Sequence, residues 1–527
     1  MLFHHDMAAM PTRYRHPRIS CLVAALLAAA SLTLAATPAR ADVESAEHAL
    51  SQNHLADAAA ELRKLAAAGN ARAQADLGTM LMYGVGMQRD PAAALTSFQQ
   101  SASSGSPEGQ LGLASWTLFG GQSDPREYPG AVATYRKYAE QGLPAAQSGL
   151  GVLYMRGVGV LKDLAQAAHW LSLASDNDAA AAINLGSLYM SNAGFPRDVP
   201  RALKLFRQAL AQGAVAAENN IGAVYEAGGP GIPIDYDRAL LHFRRAAAAN
   251  IPQGYTNVGR CYASGHGVAP SDKLALEWFR NAVDAGEPYA YAELAGLLYK
   301  GVDGKPDYKA IMQWYQRAAA AGVPTGEAGI GFLYEYGSGV EKNLSIAYSW
   351  YLKAAEHGNA DAQLAAGRML LRGQGTARDD AKGLDWIRRS AELGDADAQS
   401  LYGSLFQHGE RVPRDHAMAV KWLSPAAIAG NGRAQYELGW AHMTGNGVEK
   451  DLRRGFAWET LSANRGYEFA KTTLSENKSY LSADEIAQAE AAAAKWRPGK
   501  DIDLVAEPPG YMGLGVFNVN APFLPGR

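Results

Sequence analysis

Seven of the ten tryptophans stand in one line: Trp170, then Trp278, Trp314, Trp350, Trp386, Trp422 and Trp458, the last six spaced by 36 residues. A period of that length confines the chain to a stacked array, because one unit is too small to bury a core except against its neighbours. Around this spacing an apolar anchor recurs eleven times from Leu77 to Leu438, at intervals of 35, 36 or 37 residues. The residue after the anchor is always Gly or Ala, as in Gly78, Ala114, Gly259 and Gly439. Seven positions after the anchor, ten units carry Gly and one carries Asn192. These two residue types are the ones that tolerate a positive φ.

Each unit reads as two helices. In the first, an aromatic often follows the anchor by four (Tyr154, Tyr189, Tyr225, Tyr262, Tyr334, Phe406), so the two share one face. The small residue beside the anchor permits close approach of a neighbouring helix, and the glycine ends the helix. A capping residue follows the loop: Asp90, Asp163, Asp198, Asp235, Asp307, Asp379, Asp415 or Asp451, with Ser271, Asn343 and the weaker Glu127 elsewhere. The second helix carries the tryptophan, or Phe98, Phe206 and Phe243 in nearby registers, as an expected core residue.

The run Ile330-Gly331-Phe332-Leu333-Tyr334-Glu335-Tyr336-Gly337, continuing to Ala347, Trp350, Tyr351, Ala354, Ala355 and Gly358, resembles Sel1-like repeats, relatives of tetratricopeptide repeats. The resemblance implies an all-α, right-handed α-solenoid of about eleven antiparallel helix pairs over residues 71–467. Unit 2 departs from the pattern at Gln122 and in its loop length. Residues 42–70 and 468–497 are expected as helical caps, which a solenoid needs over its apolar ends. Residues 498–527 hold Pro and Gly together with Tyr511, Phe517 and Phe523. That mixture suggests docking on the end of the array, docking in its groove, or disorder.

At the N-terminus, Arg13, Arg15 and Arg18 precede the apolar run Cys21 to Ala30, and Ala39-Arg40-Ala41 closes the segment. This is the pattern of a secretory signal peptide, with cleavage expected after Ala41 and no integral membrane segment left behind. A periplasmic or secreted location follows as the expectation. Cleavage leaves Cys261 as the one cysteine, so no internal disulfide and no cysteine-built zinc site can form. The net charge of -3 argues against a nucleic-acid partner, which calls for a basic footprint.

Chemistry is sparse. The aspartates are periodic and capping explains them; there is no HExxH pair, and Gly157-Val158-Gly159-Val160 follows a helix instead of a strand. No catalytic residue, metal or cofactor is expected. What varies is the face of the first helix, which the family resemblance assigns to the concave, partner-binding side. Positions one before and two after the anchor are three apart and adjoin on that face. They read Asn184, Ser187, Asn220, Asn257, Arg260, Glu293, Phe332, Arg368, Glu437 and Trp440, with Tyr336, Arg372 and His408 nearby. The three asparagines are expected exposed and suited to an extended peptide backbone. A solvated polar face is the alternative. The resulting expectation is a non-catalytic adaptor or scaffold that binds a protein or an extended peptide. A scaffold for envelope or exopolysaccharide assembly is a second reading. A β-lactam-binding or hydrolysing enzyme, as among cysteine-rich relatives, is a third.

Overall fold

The computed structural model describes residues 43, 45–46, 49, 54–120, 124–191, 194–302 and 304–504. The expected signal segment, Gln122, Asn192 and the stretch 505–527 lie outside these residues. The described residues form twenty-five α-helices and no strand; an isolated bridge joins Gly229 and Ile232. The chain divides into two compact units, one running to Leu297 with Val302–Gly304, the other comprising Leu298–Gly301 and the residues from Lys305 on.

In the first unit, helix Leu55–Ala67 precedes the first repeat, and Val43 and Ala46 are buried with it. Repeats then follow as an A helix and a B helix each, for example Ala71–Tyr83 with Pro91–Ser103, and Pro252–Ser264 with Asp272–Asp284. The A helix of repeat 7 is Pro288–Tyr299. The second unit holds its B helix, Tyr308–Ala320, and four further pairs, ending with Gly432–Thr444 and Leu452–Asn464. Helices Glu468–Asn477 and Ala483–Lys495 close that end. Residues 498–504 continue the closure: Gly499 N–H donates to the Ile428 carbonyl at 2.8 Å, and Ile502 is buried. Most consecutive helices pack against each other within each unit, and some successive A helices also touch, as Ala71–Tyr83 does Pro107–Phe119 and Ala396–His408 does Gly432–Thr444.

Each turn of this pattern has a local cause. The glycine that ends an A helix sits in the left-handed region at Gly84, Gly157, Gly265, Gly337, Gly373, Gly409 and Gly445, with its N–H returned to the last turn. Gly120 of repeat 2 departs from this at φ -70°, in the unit whose loop differs from the pattern, and so does Gly228 of repeat 5, at φ 57° and ψ -173°. The capping residues each accept from a backbone N–H of the first turn of the B helix, as Asp90, Asp235 and Asn343 do. Glu127 makes no such bond.

A second set of caps precedes the A helices and was not expected. Asn70, Ser106, Asp178, Asn359, Asp395 and Asn431 accept from first-turn N–H groups. Where Leu143, Ile251 or Val323 stands instead, proline follows, and its missing N–H leaves one donor fewer to satisfy.

The tryptophans correct the sequence reading. Only Trp458 is fully buried; Trp170, Trp278, Trp314, Trp350, Trp386 and Trp422 are half-buried. The core position is the next residue: Leu171, Phe279, Tyr315, Tyr351, Ile387 and Leu423, and Phe98, Phe206 and Phe243 in earlier repeats. Three of the half-buried indoles carry a cation one turn on, Arg317 over Trp314 at 4.6 Å, Lys353 over Trp350 at 5.0 Å and Arg389 over Trp386 at 4.7 Å. The indole thus shields the edge of the core while the charged head reaches water.

The core residue meets the small residue after the anchor. A Cβ on Gly259 would stand 2.6 Å from the Phe279 ring, and one on Gly186 would stand 2.7 Å from Phe206. Gly259→Val is expected to cost about 1–3 kcal/mol by overpacking. Gly296→Ala lies in an A helix with nothing within 4 Å and is expected to gain roughly 0.5–1 kcal/mol from helix propensity. Paired urea melts check both signs.

Burial raises the Asp178 carboxyl to about 6, against the backbone N–H bonds from Ala181 and Ala180 that favour its charged form. The folded state therefore takes up this proton before the unfolded state does. Stability from this group is present below pH 4 and is lost as pH rises through 6. Asp178→Asn keeps the cap, as Asn70 and Asn359 do at the equivalent position. It should raise stability near pH 7.5 by about 1–3 kcal/mol and match the parent near pH 4. Melting temperatures across that range decide it.

Candidate functional site

The A helices present one line of side chains from repeat to repeat. Its register is explicit in side-chain contacts: the residue two after an anchor reaches the one before the next anchor, 33 positions on. Arg260 Nε donates to Glu293 Oε1 at 2.7 Å, and Ser404 Oγ donates to Glu437 Oε1 at 2.6 Å. The two positions singled out in the sequence do adjoin, and they adjoin between helices as well as along one.

In the first unit this line is polar and largely self-satisfied. Asn184 is 8% exposed, so it is not the open donor expected of it. Packing of the Ala-rich helix Ala179–Met190 covers it. Ser187 and Asn220 are half-buried. Asn257 Nδ2 donates to Asn219 Oδ1 at 2.8 Å. The asparagines therefore do not form a uniform exposed ladder, and replacing all three is not neutral for packing. Arg260 and Glu293 neutralise one another, both about a quarter to a third exposed by side chain (26% and 31%).

The second unit is different. Phe332 and Tyr336 lie four apart on helix Pro324–Tyr336, their ring centroids 4.7 Å apart, and Tyr336 is 44% exposed. Tyr299 meets Phe332 edge-on at 5.3 Å, and its hydroxyl lies 3.2 Å from Ser338 Oγ. One repeat later, Arg368 and Arg372 occupy the same two positions on helix Ala360–Arg372, and both are exposed. Crowding by protein atoms and the nearby Arg372 and Arg433 pull the Arg368 guanidinium below its usual value, against Asp397 and Asp395. Further on, Glu437 is buried at 4% and held by Ser404 and by Arg433 Nε at 2.7 Å, so it offers no open carboxylate. Trp440 is half-buried beside it in sequence register. His408 is half-buried at the position equivalent to Tyr336 and Arg372.

Sequence reasoning missed a family of buried glutamines. Gln74, Gln147, Gln363, Gln399 and Gln435 each donate Nε2 to a carbonyl near the end of the preceding helix, Ala66, Ala139, Ala355, Ala391 and Ala427 in turn. Their signal was the 36-residue spacing of the last three. Cys261 is buried at 1%, and burial pushes its thiol up to about 12, which holds it as the unreactive thiol. Among the described residues no group of three or more His, Cys, Asp or Glu side chains is placed to hold a metal ion. None of their helices is long and apolar enough to cross a membrane.

The Sel1 repeat model matches ten segments of the chain: 71–106, 144–178, 179–213, 215–251, 252–287, 288–323, 324–359, 360–395, 396–431 and 432–467. It passes over repeat 2, whose two helices, Pro107–Phe119 and Tyr128–Glu140, are nevertheless present. Among solved structures, a protective antigen of uropathogenic Escherichia coli with an SLR fold is 29% identical, over 83% of this chain and 94% of its own, at TM-score 0.41. A Sel1 repeat protein from Oxalobacter formigenes is 30% identical over 48% of this chain and 99% of its own, at TM-score 0.39. An immunity protein from Pseudomonas aeruginosa is 20% identical over 42% of this chain and 82% of its own, at TM-score 0.33. Comparison with curated proteins gave no match.

Glu437 depends on its two partners. Arg433→Met leaves this buried carboxylate with Ser404 alone and is expected to cost about 1–2 kcal/mol, the lower end for a charged hydrogen bond because Arg433 is itself partly exposed. Chemical denaturation of the variant reads the loss directly.

Proposed function

The chain belongs to the Sel1 repeat family, and on that premise we propose that it is a non-catalytic scaffold of the bacterial periplasm whose A-helix face holds a partner protein through an extended segment. Proteins built from these repeats generally serve as protein-interaction scaffolds. The observation that carries the reading to a particular surface is the contrast along the A-helix line. Where charges occur at Arg260–Glu293 and Arg433–Glu437 they are neutralised within the chain. At Phe332, Tyr336, Arg368 and Arg372 rings and guanidinium groups stay accessible. A surface that keeps an aromatic and two guanidinium groups accessible to water retains binding energy for something else. The periplasmic assignment rests on the N-terminal basic, apolar and small-residue pattern over residues 1–41.

The chain bearing Phe332→Ala and Tyr336→Ala is expected to keep its melting temperature within a few degrees yet lose the partner that the parent retains from periplasmic extract. Leu241→Ser, on a B helix and 48% exposed in the parent, should retain that partner. Loss with Leu241→Ser and retention with the double variant would move the site to the B-helix side. Alkaline phosphatase fused behind residues 1–41 should be active, and an inactive fusion would remove the periplasmic assignment.

A further inference from the structure

The accessible stretch of the second unit has a chemistry of its own, and it narrows the partner. Two consecutive A helices present their residues two and six after the anchor, Phe332 with Tyr336 and then Arg368 with Arg372. Within each pair the residues are four apart, so both side chains lie on one face. The aromatic pair is rigid: Phe332 is wedged between Tyr299 and Tyr336, at 5.3 and 4.7 Å between centroids. The arginine pair lacks the direct ion-pair partner that the same register supplies elsewhere; Asp397 and Asp395 act on Arg368 without a hydrogen bond to it. Arg260 finds Glu293 33 residues on, whereas the residue 33 after Arg368 is Leu401. Among the described residues neither Arg368 nor Arg372 forms an ion pair or side-chain hydrogen bond.

Resting on the scaffold reading above, we infer that this stretch recognises an extended acidic peptide segment, a carboxylate seated on Arg368 and Arg372 and an aromatic or large apolar side chain against Phe332 and Tyr336. Guanidinium groups take carboxylates in paired hydrogen bonds that an ammonium cannot copy. The ring pair adds an apolar contact that phosphate-rich or purely acidic ligands would not use. Adjacent packed helices lie about 8–10 Å apart, and an extended chain rises about 3.3 Å per residue. The carboxylate and the apolar side chain are therefore about three residues apart in the bound segment. The charge balance of the chain, net -3, disfavours a nucleic acid on the same arginines.

The test is selection of phage-displayed random dodecapeptides on the purified chain, followed by fluorescence polarisation with a fluorescein-labelled copy of the best sequence. Enriched peptides should carry Asp or Glu about three residues from Phe, Tyr, Trp or Leu. Binding should fall at least about tenfold with R368E/R372E and with F332A/Y336A, both variants melting like the parent. The charge-reversed chain should regain binding when the acidic residue of the peptide is changed to Lys. Peptides that lack an acidic residue, or that ignore charge reversal while still requiring Phe332 and Tyr336, overturn the acidic partner but leave the A-helix reading standing. Peptides indifferent to both variants overturn both, and failure to enrich any peptide overturns the extended segment. A synthetic 505–527 peptide that displaces the probe at lower concentration than the selected peptide overturns a separate partner in favour of the chain's own tail.

Discussion

Everything in the array depends on one contact, the apposition of the residue after each A-helix anchor with a large side chain on the B helix. At Gly78, Gly222 and Gly259 a Cβ would fall 2.6–2.7 Å from the rings of Phe98, Phe243 and Phe279. Glycine inside a helix costs roughly 1 kcal/mol relative to alanine. Fully burying the facing ring returns about 1.5–3 kcal/mol, so the exchange favours close helices. Where an aliphatic side chain replaces the ring, as in Gly151 against Leu171 and Gly403 against Leu423, the approach stays as tight, at 2.7 and 2.8 Å. The pairing of helices within a repeat follows from this, and with it the turn geometry that the left-handed glycines close.

Pairs alone would slide. The joints between repeats are fixed by buried polar groups that accept one geometry. The glutamines reach back to carbonyls freed at the ends of the preceding helices; within a repeat, Ser101, Ser390 and Ser462 add the same kind of constraint, donating to Ala71, Ala360 and Gly432 of their own A helices at 2.6, 2.8 and 2.6 Å. A buried side chain left without its acceptor loses more than the bond itself is worth, so these groups discriminate against shifted registers. In the first unit, arginines on B helices add a further tie to the next A helix, Arg136 to the Tyr154 hydroxyl, Arg207 to Tyr225 and Arg244 to Tyr262. Tyrosine at the anchor-plus-four position thus serves the joint as well as the core. With the scaffold so heavily specified, variation is confined to the A-helix line. The second unit uses that freedom for an aromatic pair and for an arginine pair that forms no ion pair among the described residues.

The sequence by itself determined the period, the two helices per repeat, their caps and the glycine turns, because each is set by residues within a few positions of one another. Asp, Ser or Asn before a helix and Gly after one act locally, and they act the same way in nearly every repeat. The tertiary structure decided which of two adjacent residues is core: the spacing of Trp278, Trp314 and Trp350 is as regular as that of Phe279, Tyr315 and Tyr351, and only the angle at which the B helix meets its glycine separates them. It also decided which residues of the A-helix line remain open. Asn184 and Ser187 share a helix face with the residues of other repeats in sequence, yet the neighbouring helices cover one and leave part of the other. Glu293 reads as an exposed charge until Arg260, 33 residues away, is seen to neutralise it, and Glu437 until Ser404, 33 residues away, and Arg433 are seen to hold it buried. Exposure, and pairing of the kind that joins Arg260 to Glu293, are properties of contacts between repeats, which a residue's own neighbourhood in the chain does not contain.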